Sequence, residues 1–203
     1  MSHLVLIRHG ESVWNHENRF TGWVDVSLSE TGRVESRKAG ERLASEGIRV
    51  GRAFTSALSR AVETGRIVLD LLGQGDLRPQ QSWHLNERYY GALTGRNKDE
   101  AREEFGTEQV HIWRRSYATR PPGGESLRDM ANRALPYFYA VIVPTTQEVD
   151  AVLVSAHGNS LRSIVKELDG LDDEAVSDLE MPLSIPVVYD MADGKPIGKR
   201  ILE

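Results

Sequence analysis

The sequence predicts an α/β fold, a three-layer α/β/α sandwich over a mostly parallel central sheet. Two apolar runs carry that prediction. Leu4-Val5-Leu6-Ile7 and Ala151-Val152-Leu153-Val154-Ser155 lack the alternation of a half-exposed strand, and unbroken runs of this length suit strands covered on both faces. The third observation is order. Strand-like and helix-like segments alternate along the chain, as helices layered on a parallel sheet require.

After the first strand, Ser29-Glu30-Thr31-Gly32 opens a helix with Val34, Ala39, Leu43 and Ala44 at apolar positions, closed by Gly47. Arg52-Ala53-Phe54-Thr55-Ser56 reads as a second strand. It leads into a helix with Ala61, Thr64, Gly65, Val68, Leu71 and Leu72 on one face, stopped by Gly73 and Gly75. From Trp83 to Arg120 the pattern weakens, and two short helices are expected, Lys98 to Phe105 and Val110 to Tyr117. Pro121-Pro122-Gly123-Gly124 is a loop. Ser126 with Asp129 makes a capping box, and apolar residues from Leu127 to Ile142 follow at helical spacing, with Pro136 expected to kink them. A helix from Ser160 to Leu168 should follow the strand at 151–155. Ile185 to Tyr189 and Lys199 to Leu202 are expected as edge strands, because Pro186 cannot donate to a ladder. No repeat or low-complexity tract divides the chain, so residues 1–203 are expected to form one domain.

With 203 residues, 27% charged and 39% hydrophobic, the chain can bury a core, which excludes intrinsic disorder. No apolar run approaches the ~18 residues of a membrane helix, and the N-terminal run, broken at Arg8, does not read as a signal peptide. A cytoplasmic protein with no membrane partner is expected. Absence of cysteine excludes disulfides, thiolate catalysis and Cys-ligated zinc. A net charge of -5 leaves no global basic field, so no nucleic-acid partner is expected. The basic residues are skewed, 20 arginines against 5 lysines. Base composition accounts for most of them; the sharper reading is that some bind phosphate or carboxylate, where a planar fork outperforms an ammonium. Position must decide.

Two predicted strands end alike, in Arg8-His9-Gly10-Glu11-Ser12 and Ala156-His157-Gly158-Asn159-Ser160. Adjacent parallel strands would bring both histidines to one rim of the sheet, where ligands of α/β folds sit. Either histidine alone reads as a packed strand-end residue; two matched His-Gly pairs weaken that reading. Imidazole, arginine and free backbone amides together suit phosphoryl transfer, with the ring as nucleophile and fixed positive charge on the phosphoryl oxygens. The six histidines show no i, i+4 pair and no HExxH, so no metal site is expected. P-loop and dinucleotide fingerprints are absent.

Leu6-Ile7-Arg8-His9-Gly10-Glu11-Ser12 with Trp14-Asn15 resembles the opening signature of the histidine phosphatase superfamily and, more narrowly, of its cofactor-dependent phosphoglycerate mutases. Further blocks continue the resemblance in order: Phe20-Thr21-Gly22-Trp23, Thr55 to Ala61, Leu85-Asn86-Glu87-Arg88-Tyr89-Tyr90-Gly91 with Lys98, Trp113 to Tyr117, Gly124 to Leu127, and His157 to Arg162. It spans nearly the whole chain and implies one phosphoglycerate mutase-like catalytic domain. The implied reaction interconverts 3-phosphoglycerate and 2-phosphoglycerate in glycolysis and gluconeogenesis, through a phosphohistidine primed by 2,3-bisphosphoglycerate and without metal. The alternative is a phosphatase on the same fold that hydrolyses a small phosphate ester.

Carried over by position, the resemblance implies that His9 is the nucleophile. Arg8, Arg60 and His157, with backbone from Gly158 and Asn159, would clamp the transferring group. Ser12, Asn15, Thr21 and Gly22 would help bind substrate. Tyr90, Lys98, Arg114 and Arg115 would hold the carboxylate and the non-reacting phosphate, and Arg88 and Tyr89 would also bind substrate. Glu87 would be the general acid/base, its pKa raised by a dianion bound nearby. His9 must be neutral to attack, so a backbone carbonyl should accept from its other ring nitrogen. Only five residues separate Tyr117 from Gly123 and the chain stops at Glu203, which resembles the short-form members. A homo-oligomer is left open.

Overall fold

The computed structural model describes residues 1–203. In chain order the elements are β1 (Ser2–Arg8), α1 (Val13–His16), α2 (Glu30–Ser45), β2 (Arg52–Thr55), α3 (Ser59–Leu71), β3 (Gln80–Gln81), α4 (Lys98–Phe105), α5 (Thr107–Arg115), α6 (Leu127–Tyr137), α7 (Val143–Thr145), β4 (Ala151–Ala156), α8 (Gly158–Asp169), α9 (Ala175–Asp178), β5 (Val187–Ala192) and β6 (Lys195–Ile201). The sheet runs β3-β2-β4-β1-β5-β6. β3, β2, β4 and β1 pair in parallel, while β5 and β6 close one side as antiparallel strands.

The unbroken apolar runs are explained by what covers them. Leu4 and Leu6 of β1 point into a core shared with Val152, Val154 and Ala156 of β4 and with Leu161, Ile164 and Val165 of α8. Val5 and Ile7 point the other way, into a core with Leu153, with Ala39 and Leu43 of α2, and with Val68 and Leu69 of α3. Both faces of β1 and β4 are therefore dry, and alternate side chains feed separate layers. The sandwich is the predicted one, with a mostly parallel centre.

Helix boundaries follow local chemistry. The Ser29 side chain accepts from the Gly32 amide at the start of α2. Ser126 and Asp129 form the expected capping box at α6. Pro136 has no N–H to give, and the chain passes from α6 into a π-helical turn at Phe138–Ile142.

Four expectations are corrected. β5 is not an edge strand: Pro186 lies just before it, and Val187 to Met191 pair with both β1 and β6. β6 is the edge, begins at Lys195 and carries Pro196 within it. α5 begins at Thr107 and ends at Arg115, because the chain is extended at Ser116. α8 begins at Gly158, directly after the histidine rather than at Ser160. β3, two glutamines long, has no apolar signal and was not anticipated. No helix is long and apolar enough to cross a membrane.

Candidate active site

Three parallel strands end on one rim. β1 delivers His9, β2 delivers Ser56 and β4 delivers His157, with Arg8 in register with Ala156 and Thr55 with Ser155. The rings of His9 and His157 lie with centroids 5.0 Å apart, edge to face at 62°. His9 Nδ1 lies 2.6 Å from the carbonyl oxygen of Gly10. A carbonyl can only accept, so Nδ1 carries the hydrogen and Nε2 keeps its lone pair. The His157 Nε2 stands 2.7 Å from Ser56 Oγ, while its Nδ1 is buried with no partner. Burial, reinforced by the guanidinium groups of Arg60 and Arg8, holds both imidazoles well below the ordinary histidine pKa.

The loop after β1 is pinned from behind. Gly10 donates to Thr64 Oγ1 at 3.1 Å, and Glu11 accepts from both the amide and the hydroxyl of Ser29 at the start of α2. A Cβ on Gly10 would lie 2.2 Å from the Gly32 carbonyl oxygen, so only glycine permits this approach of loop and helix.

In front of His9 opens a cavity of about 120 Å³, lined by seven cationic side chains (Arg8, Arg19, Arg60, Lys98, Arg114, Arg115, Arg162) and two carboxylates, Glu87 and Glu180. A chain of net charge -5 thus concentrates positive charge at one place. Arg60 is anchored by the carbonyls of Val24 and Gly22 at 3.0 and 2.8 Å, and Arg8 by that of Met181 at 2.8 Å. Their Nε–H groups, like that of Arg162, remain buried without partners. Such orphaned donors fit an anion, and the N-terminus of α8 adds its first amides and its dipole. Burial lowers Arg60 and Arg162 to about 10 each, and burial with Arg114 nearby lowers Lys98 to about 8. No group of three or more His, Asp or Glu side chains is gathered as a metal site would need.

Glu87 is nearly buried at 8% exposure. Its Oε1 accepts from the Arg88 amide at 2.7 Å and from Asn159 Nδ2 at 2.9 Å; Asn159 also reaches the Tyr90 hydroxyl at 3.2 Å. Asn15 presents its amide nitrogen to the cavity because its Oδ1 accepts from both the amide and hydroxyl of Ser12.

Of the residues singled out from sequence, Arg8, His9, Asn15, Thr21, Gly22, Arg60, Glu87, Tyr90, Lys98, Arg114, Arg115, Gly158 and Asn159 line this cavity. His157 is fully buried beside His9, with ring centroids 5.0 Å apart, and is not among the lining residues. Three do not fit the expectation. Ser12 is buried and caps α1, so it orients Asn15 instead of meeting a ligand. Arg88 is wholly buried beneath the ring of Tyr90 and donates to the Arg114 carbonyl at 3.0 Å. Tyr89 faces outward beside Trp23. Sequence reasoning missed Arg19, Phe20, Arg162, Glu180 and Met181 as lining residues. Arg162 had a signal, lying three residues after Asn159 on one helix and so on the same face. Glu180 and Met181 come from an irregular segment with none.

Comparison with known proteins places the chain in a family. The family model described as Histidine phosphatase superfamily (branch 1) matches residues 4–201. A 2,3-bisphosphoglycerate-dependent phosphoglycerate mutase of Parvibaculum lavamentivorans is 53% identical over 98% of this chain and 95% of its own length. A phosphoglycerate mutase of Schizosaccharomyces pombe is 50% identical over 98% and 95%. Among solved structures, Bacillus stearothermophilus YhfR superposes with a TM-score of 0.83 at 28% identity, covering 97% of this chain and 94% of that one. A mycobacterial glucosyl-3-phosphoglycerate phosphatase bound to VO3 gives 0.82 at 25% identity, covering 94% and 93%.

Proposed function

The chain belongs to branch 1 of the histidine phosphatase superfamily, and from that premise we propose that it is a 2,3-bisphosphoglycerate-dependent phosphoglycerate mutase. Residues 1–203 form one cytoplasmic catalytic domain that interconverts 3-phosphoglycerate and 2-phosphoglycerate. The observation that carries this reading is the second set of cations. A phosphatase needs positive charge around one phosphoryl group, yet Lys98, Arg114 and Arg115 add three further cations to the lining of the same cavity. A substrate with a carboxylate and a further phosphate matches that added charge. Relatives near 50% identity bear the mutase name, whereas the phosphatase in the structural comparison is 25% identical.

The orphaned donors of Arg8, Arg60 and Arg162 fit the phosphates of 2,3-bisphosphoglycerate. Arg8, Arg60 and the α8 amides would hold the reacting phosphate; Lys98, Arg114, Arg115 and Tyr90 would hold the distal groups. When bound, that compound supplies the phosphoryl group that His9 carries. His9 Nε2 attacks phosphorus in line; the N–P bond forms, the P–O bond breaks, and its electron pair leaves on the substrate oxygen. Glu87 delivers a proton to that oxygen and removes one from the accepting hydroxyl on return. The Gly10 carbonyl, accepting from Nδ1–H, stabilises the positive charge that develops on the ring. The free His157 Nδ1 supplies a further donor to the phosphoryl oxygens.

The test is one assay on 3-phosphoglycerate primed with 2,3-bisphosphoglycerate, with 2-phosphoglycerate and inorganic phosphate followed in the same tube. Isomer formation far ahead of phosphate release supports the mutase. Phosphate release without isomer would replace it with the phosphatase.

A further inference from the structure

Glu87 sits in a segment with almost no regular structure, between a 3-10 turn at Trp83–Leu85 and another at Gly91–Leu93. An ion pair outside the cavity braces its backbone. Arg133 of α6 donates to both carboxylate oxygens of Glu125, at 3.1 and 2.9 Å. The same guanidinium spans the carbonyls of Trp83 at 3.1 Å, His84 at 2.9 Å, and Asn86 and Glu87 at 3.4 Å. Glu125 grips the other side: its Oε2 accepts from the Tyr89 amide at 2.9 Å, and its own amide donates to the Tyr89 carbonyl at 2.8 Å. The Arg133 side chain is only 8% exposed and is covered by the rings of Trp23 and Trp83, 5.3 and 5.8 Å from its guanidinium carbon. Trp23 completes the clamp by donating its indole N–H to the Glu87 carbonyl at 2.6 Å.

We infer that Arg133, locked by Glu125, is a positioning residue for proton transfer. Arg133 fixes the backbone up to Glu87 and Glu125 fixes it beyond, at Tyr89, so that the pair sets where the Glu87 carboxyl meets the substrate oxygen. A general acid works only within hydrogen-bond reach, and a misplacement of about 1 Å costs up to ~100-fold. Lysine is no substitute, because one ammonium cannot bridge a carboxylate and a row of carbonyls in a plane. The inference rests on the assignment of Glu87 as the acid.

The test compares two donors to His9. With 2,3-bisphosphoglycerate the leaving oxygen needs a proton. With phosphoramidate the leaving nitrogen already carries its own: the N–P bond to His9 forms, the P–N bond of the donor breaks, and ammonia departs. Initial rates of His9 phosphorylation are measured for wild type, Arg133→Lys and Glu87→Gln, with His9→Ala as background. Arg133→Lys keeps the charge, so a long-range field effect is controlled. The expected result is a loss of ~10-fold or more with bisphosphoglycerate and a change within about 2-fold with phosphoramidate. Equal losses with both donors, or no loss with either, would overturn the clamp. A donor ratio moved by Glu87→Gln but not by Arg133→Lys sinks the clamp alone; a ratio unmoved by Glu87→Gln sinks the acid assignment itself.

Discussion

The rings of His9 and His157 stand 5.0 Å apart and share one environment, buried among the same two arginines, Arg8 and Arg60. Parallel pairing of β1 with β4 creates the contact, and burial keeps both rings neutral. The first prediction follows from the sign of those shifts. Because the folded pKa values are depressed, neither imidazole gains a proton as pH falls through the ordinary histidine value of ~6.5. His9 phosphorylation should hold its rate down to at least about pH 6, while stability declines below ~6.5 because the unfolded chain binds protons that the folded one refuses. Ring-nitrogen NMR across that range checks it; titration of either ring near 6.5 would contradict it.

Lys98 gives the opposite limb. Held near 8 by burial and by Arg114, it loses its charge as pH rises through that value. The KM for 3-phosphoglycerate should climb between pH 7 and 9. Lys98→Arg, whose charge persists, should flatten the climb. A KM independent of pH in the wild type would exclude Lys98 from anion binding.

Glu180 pairs with Arg115 at the mouth of the cavity and is itself two-thirds exposed, at 66%. An exposed pair is worth about 0–1 kcal/mol, so freeing Arg115 should matter modestly. Glu180→Gln is expected to lower KM about 2- to 5-fold at low salt, with the gain shrinking as salt is added. An unchanged or raised KM would show that the carboxylate does not compete with substrate.

Gly32 lies in α2, outside the cavity, yet a Cβ there would meet the Glu11 carbonyl oxygen at 2.1 Å. Both partners are backbone and cannot swing aside. Gly32→Ala should cost about 1–3 kcal/mol by overpacking and reduce turnover by displacing the loop that carries His9. Denaturant unfolding and steady-state kinetics read the two effects; wild-type values in both would refute the pinning.

Much of the rim was legible because its signals are local. The apolar runs of β1 and β4 announced buried parallel strands, and each ends in His-Gly, which placed two distant histidines together before any contact was known. The α6 capping box and the break after Pro136 were equally local. What sequence did not reveal depends on tertiary packing. Pro186 suggested an edge, but it lies one residue outside a strand that is paired on both sides. Ser12 and Arg88 neighbour lining residues in sequence and turn inward, one to cap α1 and the other to pack under Tyr90. Glu180 and Met181 reach the cavity from an irregular segment held by the Arg8 side chain, a contact across 173 positions that no periodicity encodes.

The most direct measurement follows the phosphoryl group itself. Enzyme is mixed with 2,3-bisphosphoglycerate carrying labelled phosphate, the labelled peptide is mapped, and the remainder is chased with unlabelled 3-phosphoglycerate. The expected result is label on His9, absent in His9→Ala, that passes into the phosphoglycerate pool with little free phosphate. Label on another residue, none on folded wild-type protein, or discharge of the His9 label as inorganic phosphate would contradict a mutase working through His9.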